Sequence, residues 1–134
     1  MITYYASNQA LNRFFGNTSF SVPSTYYIAL STTTINSDGT GITEPVGNGY
    51  TRVAVVNSGA NWATASNGIT SNVSSFTFPE SSGSWGTLTY WAMYDNGTAG
   101  NIWFFDTLTP SRAVASLTTV LFVSGAIQIL MNNT

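Results

Sequence analysis

The side chains that could carry acid/base chemistry in this sequence are few. Histidine, lysine and cysteine are absent, so proton transfer would depend on five carboxylates, which are Asp38, Glu44, Glu80, Asp95 and Asp106. Two carboxylates at a fixed separation suffice for glycoside hydrolysis, but the spacing along this chain gives no sign of such a pair. The many serines lack a histidine or lysine that could act as general base. We therefore predict a protein without catalytic residues.

Two of these carboxylates have a more ordinary role open to them. Asp38 begins the sequence "DGTG" and Asp95 begins "DNGT". Aspartate before glycine or asparagine commonly accepts hydrogen bonds from backbone N–H groups in a turn. Both residues are therefore predicted to stabilise turns.

Metal binding is restricted by the same composition. Histidine and cysteine, the ligands that zinc prefers, are missing. Calcium prefers oxygen ligands, and the loop "NSDGTGITE" offers Asn36, Asp38 and Glu44, although their spacing is not that of a recognised calcium loop. We predict no metal and no cofactor, with calcium in this loop as the alternative.

The charge balance bears on the partners of the protein. Three arginines, Arg13, Arg52 and Arg112, and a formal net charge of −2 provide no basic patch for phosphate groups, so nucleic acid is not predicted as a partner. Only 6% of the residues are charged, and such a surface gives little repulsion between copies. Self-association or docking onto a larger assembly is therefore expected.

Two segments could be mistaken for targeting or membrane sequences. The N-terminal "MITYYASNQALNRFF" lacks the basic start and apolar stretch of a secretory signal. Residues 113–131 contain no charge and approach the length of a membrane-spanning helix. However, frequent Thr, Val and Ile and the interruption at Ser124 and Gly125 favour two strands around a turn. A membrane is therefore not predicted as a partner, and the spanning helix is the alternative.

The elements that must position these side chains are mostly strands. Near-helical spacing of apolar residues from about residue 5 to residue 15, followed by Gly16, predicts one short N-terminal helix. After Pro23, runs rich in β-branched and aromatic residues alternate with Gly, Pro, Asn and Ser clusters. We predict an all-β fold, an antiparallel sandwich or jelly roll of about seven or eight strands. A single domain is expected over residues 1–134, with a helix or arm in residues 1–22 and the sandwich in residues 23–134.

Two aromatic runs, "GTLTYWAMYD" and "NIWFF", place apolar residues on both strand faces. Strict alternation puts Leu88 on the face of Tyr90, opposite Trp91, and it puts Trp103 on the same face as Phe105. The surplus of apolar residues over one small core predicts a subunit interface, although Trp91 could instead close one end of the core.

Other residues extend the predicted interface. The N-terminal segment is too apolar for a free tail and should pack on its own sandwich or on a neighbouring subunit. Arg52 lies inside a strand, where it could either pair with a carboxylate or anchor an interface. The candidate interface residues are Tyr5, Phe14, Phe15, Arg52, Trp91, Trp103 and Phe105.

A series of motifs runs along nearly the whole chain. An "ALST" strand, a "DGTG" loop and a "GYTR" strand are followed by an "FP" step and by the strands "WGTLTYWAMYD" and "GNIWFFDTL". This series resembles the small virion proteins of tailed bacteriophages and prophages that are usually labelled tail-fibre or minor structural proteins. Tyr90 stands where those proteins commonly have histidine. The resemblance implies a non-enzymatic β-sandwich protein of the virion, assembled in the cytoplasm of the bacterial host.

Two roles in the virion follow from this resemblance. The first is a capsid decoration or cement protein that contacts itself, as a homotrimer, and the major capsid protein. The second is a tail-fibre or tail-tip module that binds a receptor or a host glycan, with Trp62, Trp85 or Trp103 as a stacking platform. The short chain has no heptads and no shaft repeat, which favours decoration, and the tail module is the alternative.

Overall fold

The chain folds mainly from antiparallel strands. The computed structural model describes residues 1–131. Within them, one helix precedes eight strands, which are α1 (Tyr4–Phe14), β1 (Thr25–Ser31), β2 (Val53–Val56), β3 (Ile69–Ser71), β4 (Phe76–Thr77), β5 (Gly86–Tyr94), β6 (Ile102–Val114), β7 (Leu121–Phe122) and β8 (Gln128–Leu130). The predicted all-β fold with a short N-terminal helix is confirmed.

Local sequence explains the limits of α1. The side chain of Thr3 caps its first turn by accepting a hydrogen bond from the backbone N–H of Ala6. Arg13 lies in the last turn, where a positive charge complements the helix dipole. Gly16 follows with a φ of 73°, a left-handed conformation that glycine adopts without strain, and the helix ends there.

The strands form one main sheet and two short ribbons. The main sheet has the order β2-β1-β5-β6, and all of its strand pairs are antiparallel. The ribbons pair β3 with β8 and β4 with β7. The C-terminal apolar run therefore supplies two strands, as predicted, and none of the helices in residues 1–131 has the length and apolarity needed to cross a membrane.

Each face of the main sheet contacts its own apolar core. The larger core lies on the face covered by the ribbons and includes Leu30, Trp91 and Phe122. The smaller core includes Ala92 and Phe105 on the other face, with other members from the loop after β1 and from β5 and β6. The apolar residues on both faces of β5 and β6 are thus buried within one chain. The interface inferred from that surplus was wrong for these strands.

The alternation along β5 is interrupted by an irregular pairing with β6. Leu88 lies opposite Arg112, but two residues further along β5, Tyr90 lies opposite Thr107, so residues 108–111 of β6 bulge out of the ladder. As a result Leu88 belongs to the larger core, whereas Tyr90 packs against the smaller one. The expectation that these two residues share a face was therefore wrong.

A second register shift separates Trp103 from Phe105. Met93 lies opposite Phe104 and Tyr94 lies opposite Ile102, so Trp103 is an additional residue in β6. Trp103 packs in the larger core, and Phe105 packs in the smaller one. Strict alternation had placed them on one face, and the bulge is the reason that they differ.

The N-terminal residues pack against the outer edge of β6. The backbone N–H of Thr3 donates to the carbonyl of Trp103 at 3.1 Å, and its hydroxyl donates to the carbonyl of Ile102 at 2.6 Å. The amino group of Met1 donates to the carbonyl of Phe105 at 2.6 Å. The N-terminal segment therefore packs on its own sheet, which was one of its two predicted positions, and it fixes the start of α1.

Candidate functional site

The seven candidate interface residues separate into a buried and an exposed group. The side chains of Trp91, Trp103 and Phe105 are 4%, 6% and 1% exposed, so they present almost no surface to a partner. Phe14 and Phe15 are 70% and 78% exposed. The two residues left in the set are Arg52, which is buried in an ion pair, and Tyr5, which is partly exposed. The surface available at these positions is therefore concentrated on α1.

Exposed apolar side chains form a stripe on α1. Leu11 and Phe14 have the spacing i and i+3, which places them on one side of α1, and Phe15, at i+4, is the C-cap residue directly after the helix. Tyr4 precedes Leu11 by two turns and is also exposed. We call these four residues the α1 apolar face. Ala6, which packs into the larger core, holds the opposite side of the helix against the sheet.

Trp103 connects α1 to the main sheet. Its ring makes edge contacts with Tyr5 and Tyr26, at centroid distances of 5.5 and 6.2 Å, and it also packs against Phe20. Its indole Nε1 donates to Oδ2 of Asp95 at 3.2 Å. Trp103 is thus a structural residue between the helix, β1 and the β5–β6 turn. Its predicted place in an interface, and its use as a stacking platform, were wrong because the side chain is 6% exposed and its donor is occupied.

The carboxylate of Asp95 stabilises the β5–β6 turn. It accepts hydrogen bonds from the backbone N–H and the side-chain amide of Asn101, at 2.8 and 3.1 Å. Partial burial alone would raise the pKa of Asp95, but these bonds and the indole of Trp103 outweigh it and lower the pKa. Asp38 similarly accepts from the backbone N–H and hydroxyl of Thr40. The predicted turn roles are confirmed for both aspartates.

Arg52 forms a partly buried bidentate ion pair. Its Nε and Nη2 donate to the two carboxylate oxygens of Glu44, at 3.0 and 2.8 Å. Nη1 donates to the carbonyls of Asn96 and Ala99 in the β5–β6 turn, and the guanidinium carbon lies 3.5 Å from the centre of the Tyr94 ring. Burial alone would lower the pKa of Arg52, but the bonds and charge of Glu44 outweigh it and raise the pKa. The pairing alternative for Arg52 is therefore confirmed, and its place in the predicted interface was wrong.

The ion pair also determines what the predicted calcium loop does. Glu44 faces Arg52 and accepts from the hydroxyl of Tyr50 at 2.7 Å, whereas Asp38 and the amide of Asn36 both bond to Thr40. The three proposed ligands therefore have different partners. In the described part of the chain, residues 1–131, no group of three potential acidic, histidine or cysteine ligands forms a metal site.

Nearly the whole chain matches one protein family. Residues 1–130 match the model of the family described as "Podophage GP4 fiber I protein gp80". The chain belongs to this family. It is therefore a small structural protein of the tailed-phage virion, and the resemblance inferred from the motif series is confirmed. No curated protein matches the sequence.

Within this phage family member, the other proposed stacking platforms also face inward. Trp85 is buried between Tyr50 and Phe78, and its Nε1 donates to the carbonyl of Asn48 at 2.9 Å. Trp62 is half-buried and packs edge-on against Phe76. Both rings therefore contact the larger core.

A buried tyrosine, Tyr26, and a half-buried one, Tyr50, predict sensitivity of the fold to alkaline pH. Burial, together with the charge of Asp95, raises the pKa of Tyr26 to about 12, and burial also raises the pKa of Tyr50. The neutral phenols therefore favour the folded state. Their contribution is fully present below the unfolded pKa of about 10 and is lost as the pH rises through the higher folded values. The midpoint of urea unfolding, followed by circular dichroism, should fall between about pH 9 and pH 11.5.

The variant Tyr26→Phe tests whether Tyr26 causes this pH dependence of the unfolding midpoint. Tyr26→Phe keeps the buried ring and removes one titrating group, so its unfolding midpoint should fall less steeply over the same pH range. Tyr4→Phe, at an exposed position, should behave like the wild type. Equal slopes for all three proteins would contradict the role of Tyr26.

Proposed function

We propose that this chain is a non-enzymatic structural module of the phage tail fibre, attached to neighbouring chains through the α1 apolar face. The family description, which names a fiber protein, supports the place in the virion. The observation that carries the mode of attachment is the exposure of Phe14 and Phe15, at 70% and 78%, on a helix otherwise fixed to the sheet.

The energetics of the α1 apolar face favour association. Burying a large apolar side chain contributes roughly 1.5–3 kcal/mol, and Leu11, Phe14 and Phe15 are available together on one side of the helix. The contacts of Thr3 and Ala6 already hold α1 in place, so little additional ordering is needed on binding. The low charge of the chain adds little repulsion between copies.

We propose that the α1 apolar face of one chain contacts the α1 apolar faces of two further copies of the chain. Closed symmetric assembly is the rule for identical subunits, and three copies meeting along an axis would bury all three apolar faces at once. Homotrimeric assembly is thus part of the proposal. Contacts with other virion chains would use the remaining surface.

The carboxylates support a non-enzymatic role. Asp38 and Asp95 bond to backbone groups in turns, and Glu44 pairs with Arg52. Asp106 accepts from the backbone N–H of Thr107 and lies 3.7 Å from the N-terminal amino group. Each of these four carboxylates has a structural partner that suffices to explain it.

Capsid decoration is the second candidate role. The chain is short and has no shaft repeat, and the α1 apolar face could equally rest on the major capsid protein. Immunogold labelling of intact particles separates the two locations. Label on the tail fibres supports the fibre proposal, and label distributed over the head overturns it in favour of decoration.

Substitution of the two phenylalanines tests the attachment face. The double variant Phe14→Ser, Phe15→Ser should keep the wild-type circular dichroism spectrum, because both rings are exposed. It should sediment as a monomer at micromolar concentration, whereas the wild type should sediment as a trimer. Val46→Ser, at a residue that is 93% exposed but outside α1, is the matched control and should remain trimeric.

Either of two results would count against this face. One is a wild-type protein that remains a monomer, and the other is a double variant that still forms trimers. Deletion of the whole segment 1–15 is a poorer test, because it also removes Thr3 and Ala6 from the fold.

A further inference from the structure

Leu117, in the turn between β6 and β7, has two features that are unfavourable for an isolated chain. Its φ is 58°, in the left-handed region, and its side chain is 78% exposed. Among residues 1–131, the other non-glycine residues with a positive φ are Asn48, Asn67 and Ala99. Asparagine adopts this conformation readily, whereas a large apolar side chain strains the backbone there. Leu117 therefore suits neither its own turn nor the surrounding water.

Hydrogen bonds to one buried serine fix this turn. Ser81 is 1% exposed, and its hydroxyl donates to the carbonyl of Ala115 at 2.6 Å and accepts from the backbone N–H of Thr118 at 3.1 Å. The carbonyl of Ser81 accepts from the backbone N–H of Leu117 at 2.7 Å. The backbone at Leu117 is thus held in its strained conformation by the fold, and little further ordering is needed for the side chain to contact a partner.

The turn lies at the end of the β5–β6 pair that is remote from α1. The first residue of β5, Gly86, pairs with Val114, whereas the last residue, Tyr94, pairs with Ile102, the residue to which the hydroxyl of Thr3 donates. The nine residues of β5 separate these two ends by roughly 25 Å. Leu117 is therefore available to a chain other than those that cover the α1 apolar face.

The fold itself gives no reason for leucine at this position. Glycine or asparagine would fit the left-handed backbone without the same strain, and either would expose less apolar surface. Strained residues that the surrounding structure holds in place are concentrated at sites of function. Residues 113–131 contain no charge, so a surface that receives this turn should be apolar.

We propose that Leu117 inserts into an apolar pocket of a different structural chain of the virion, at the end of the module remote from α1. Burial of a leucine side chain strengthens such a contact by roughly one to two powers of ten in the binding constant. This contact goes beyond the trimer proposed above. It rests on the place of the chain in the virion and not on the α1 apolar face.

Site-specific photocrosslinking in assembled particles tests the contact directly. A phage with a stop codon in the gene for this chain is grown in cells that supply the chain with benzoylphenylalanine in place of Leu117. Irradiation of the purified particles should crosslink the chain to a second virion protein, which mass spectrometry identifies. The same photoreactive residue in place of Val46, which is 93% exposed, should not crosslink to that protein. Crosslinks only between copies of this chain, or none, would overturn the proposal.

The variant Leu117→Asn separates the contact from the stability of the fold. Asparagine relieves the backbone strain, so the variant should unfold at a higher urea concentration than the wild type. The amount of the chain in purified particles should nevertheless fall by about tenfold, because the apolar contact is lost. Wild-type incorporation would overturn the proposal. So would a less stable variant, since Leu117 would then serve the fold.

Two matched variants control for the change of side chain. Ala99→Asn relieves a left-handed backbone without removing a large apolar group, so it should be incorporated like the wild type. Leu117→Met keeps an apolar side chain at the turn and should be incorporated at nearly the wild-type level. If Leu117→Met were lost from particles as completely as Leu117→Asn, an apolar contact would not explain the result.

Sedimentation separates this proposal from the previous one. Leu117→Asn should form trimers as the wild type does, because its substitution lies outside α1. A wild type that remains a monomer but crosslinks to a second virion protein through position 117 would overturn the trimer alone. A trimeric wild type that gives no such crosslink would overturn the Leu117 contact alone.

Discussion

Replacing Trp103 by alanine should lower the free energy of unfolding by about 3–5 kcal/mol and leave little folded protein. The ring is 6% exposed and packs against Tyr5, Phe20 and Tyr26, which come from α1, the following loop and β1. Its removal creates a cavity where these segments meet β6. It also leaves Asp95 without one of its donors. Urea unfolding followed by circular dichroism measures the change.

Two controls separate the parts of this effect. Trp103→Phe retains most of the buried area but loses the bond to Asp95, so its loss should be well below that of the alanine variant, with about 1 kcal/mol for the bond. Phe15→Ala removes an aromatic ring at the C-cap of α1 that is 78% exposed and should change stability by no more than about 0.5 kcal/mol. A Trp103→Ala protein that is stably folded but fails to assemble would restore the interface that strict alternation predicted.

Replacing Glu44 by alanine should lower the free energy of unfolding by about 2–4 kcal/mol. The side chain of Arg52 is 8% exposed, and without Glu44 its charge would remain buried with only the carbonyls of Asn96 and Ala99 as acceptors. The hydroxyl of Tyr50 would lose its acceptor as well. Because the Glu44 side chain is 23% exposed, water would reach the vacated position and keep the effect below that of a fully buried pair.

A second substitution in the same background tests this explanation. Arg52→Met removes the uncompensated charge, so the double variant should recover part of the stability that Glu44→Ala loses. Glu80→Ala, at an exposed carboxylate, should remain within about 0.5 kcal/mol of the wild type. If Glu44→Ala and Glu80→Ala were equally stable, the pair would contribute nothing to the fold.

The irregular pairing of β6 shows where reasoning from sequence fell short. Strict alternation was applied to β5 and β6, although residues 108–111 of β6 leave the ladder. One signal was present. Pro110 lies within a run of strand residues, and proline in a strand indicates an edge or a bulge. That signal locates the irregularity but does not indicate what lies across from it.

The sequence by itself determined the local features of this protein. The spacing of apolar residues and Gly16 predicted the helix, β-branched and aromatic runs predicted the strands, and the residues after Asp38 and Asp95 predicted their turns. These features depend on interactions between residues close in the chain. The family was also visible in the order of the motifs.

Only the tertiary structure decided which side chains are buried. Because of the bulges in β6, Leu88 and Tyr90 lie on opposite faces of the sheet, and so do Trp103 and Phe105. Phe105 is buried in the smaller core. The choice between the two roles of Arg52 depended on the loop that brings Glu44 to it. The physical reason is that a one-residue change of register reverses every following side chain, and pairing with a distant strand sets that register.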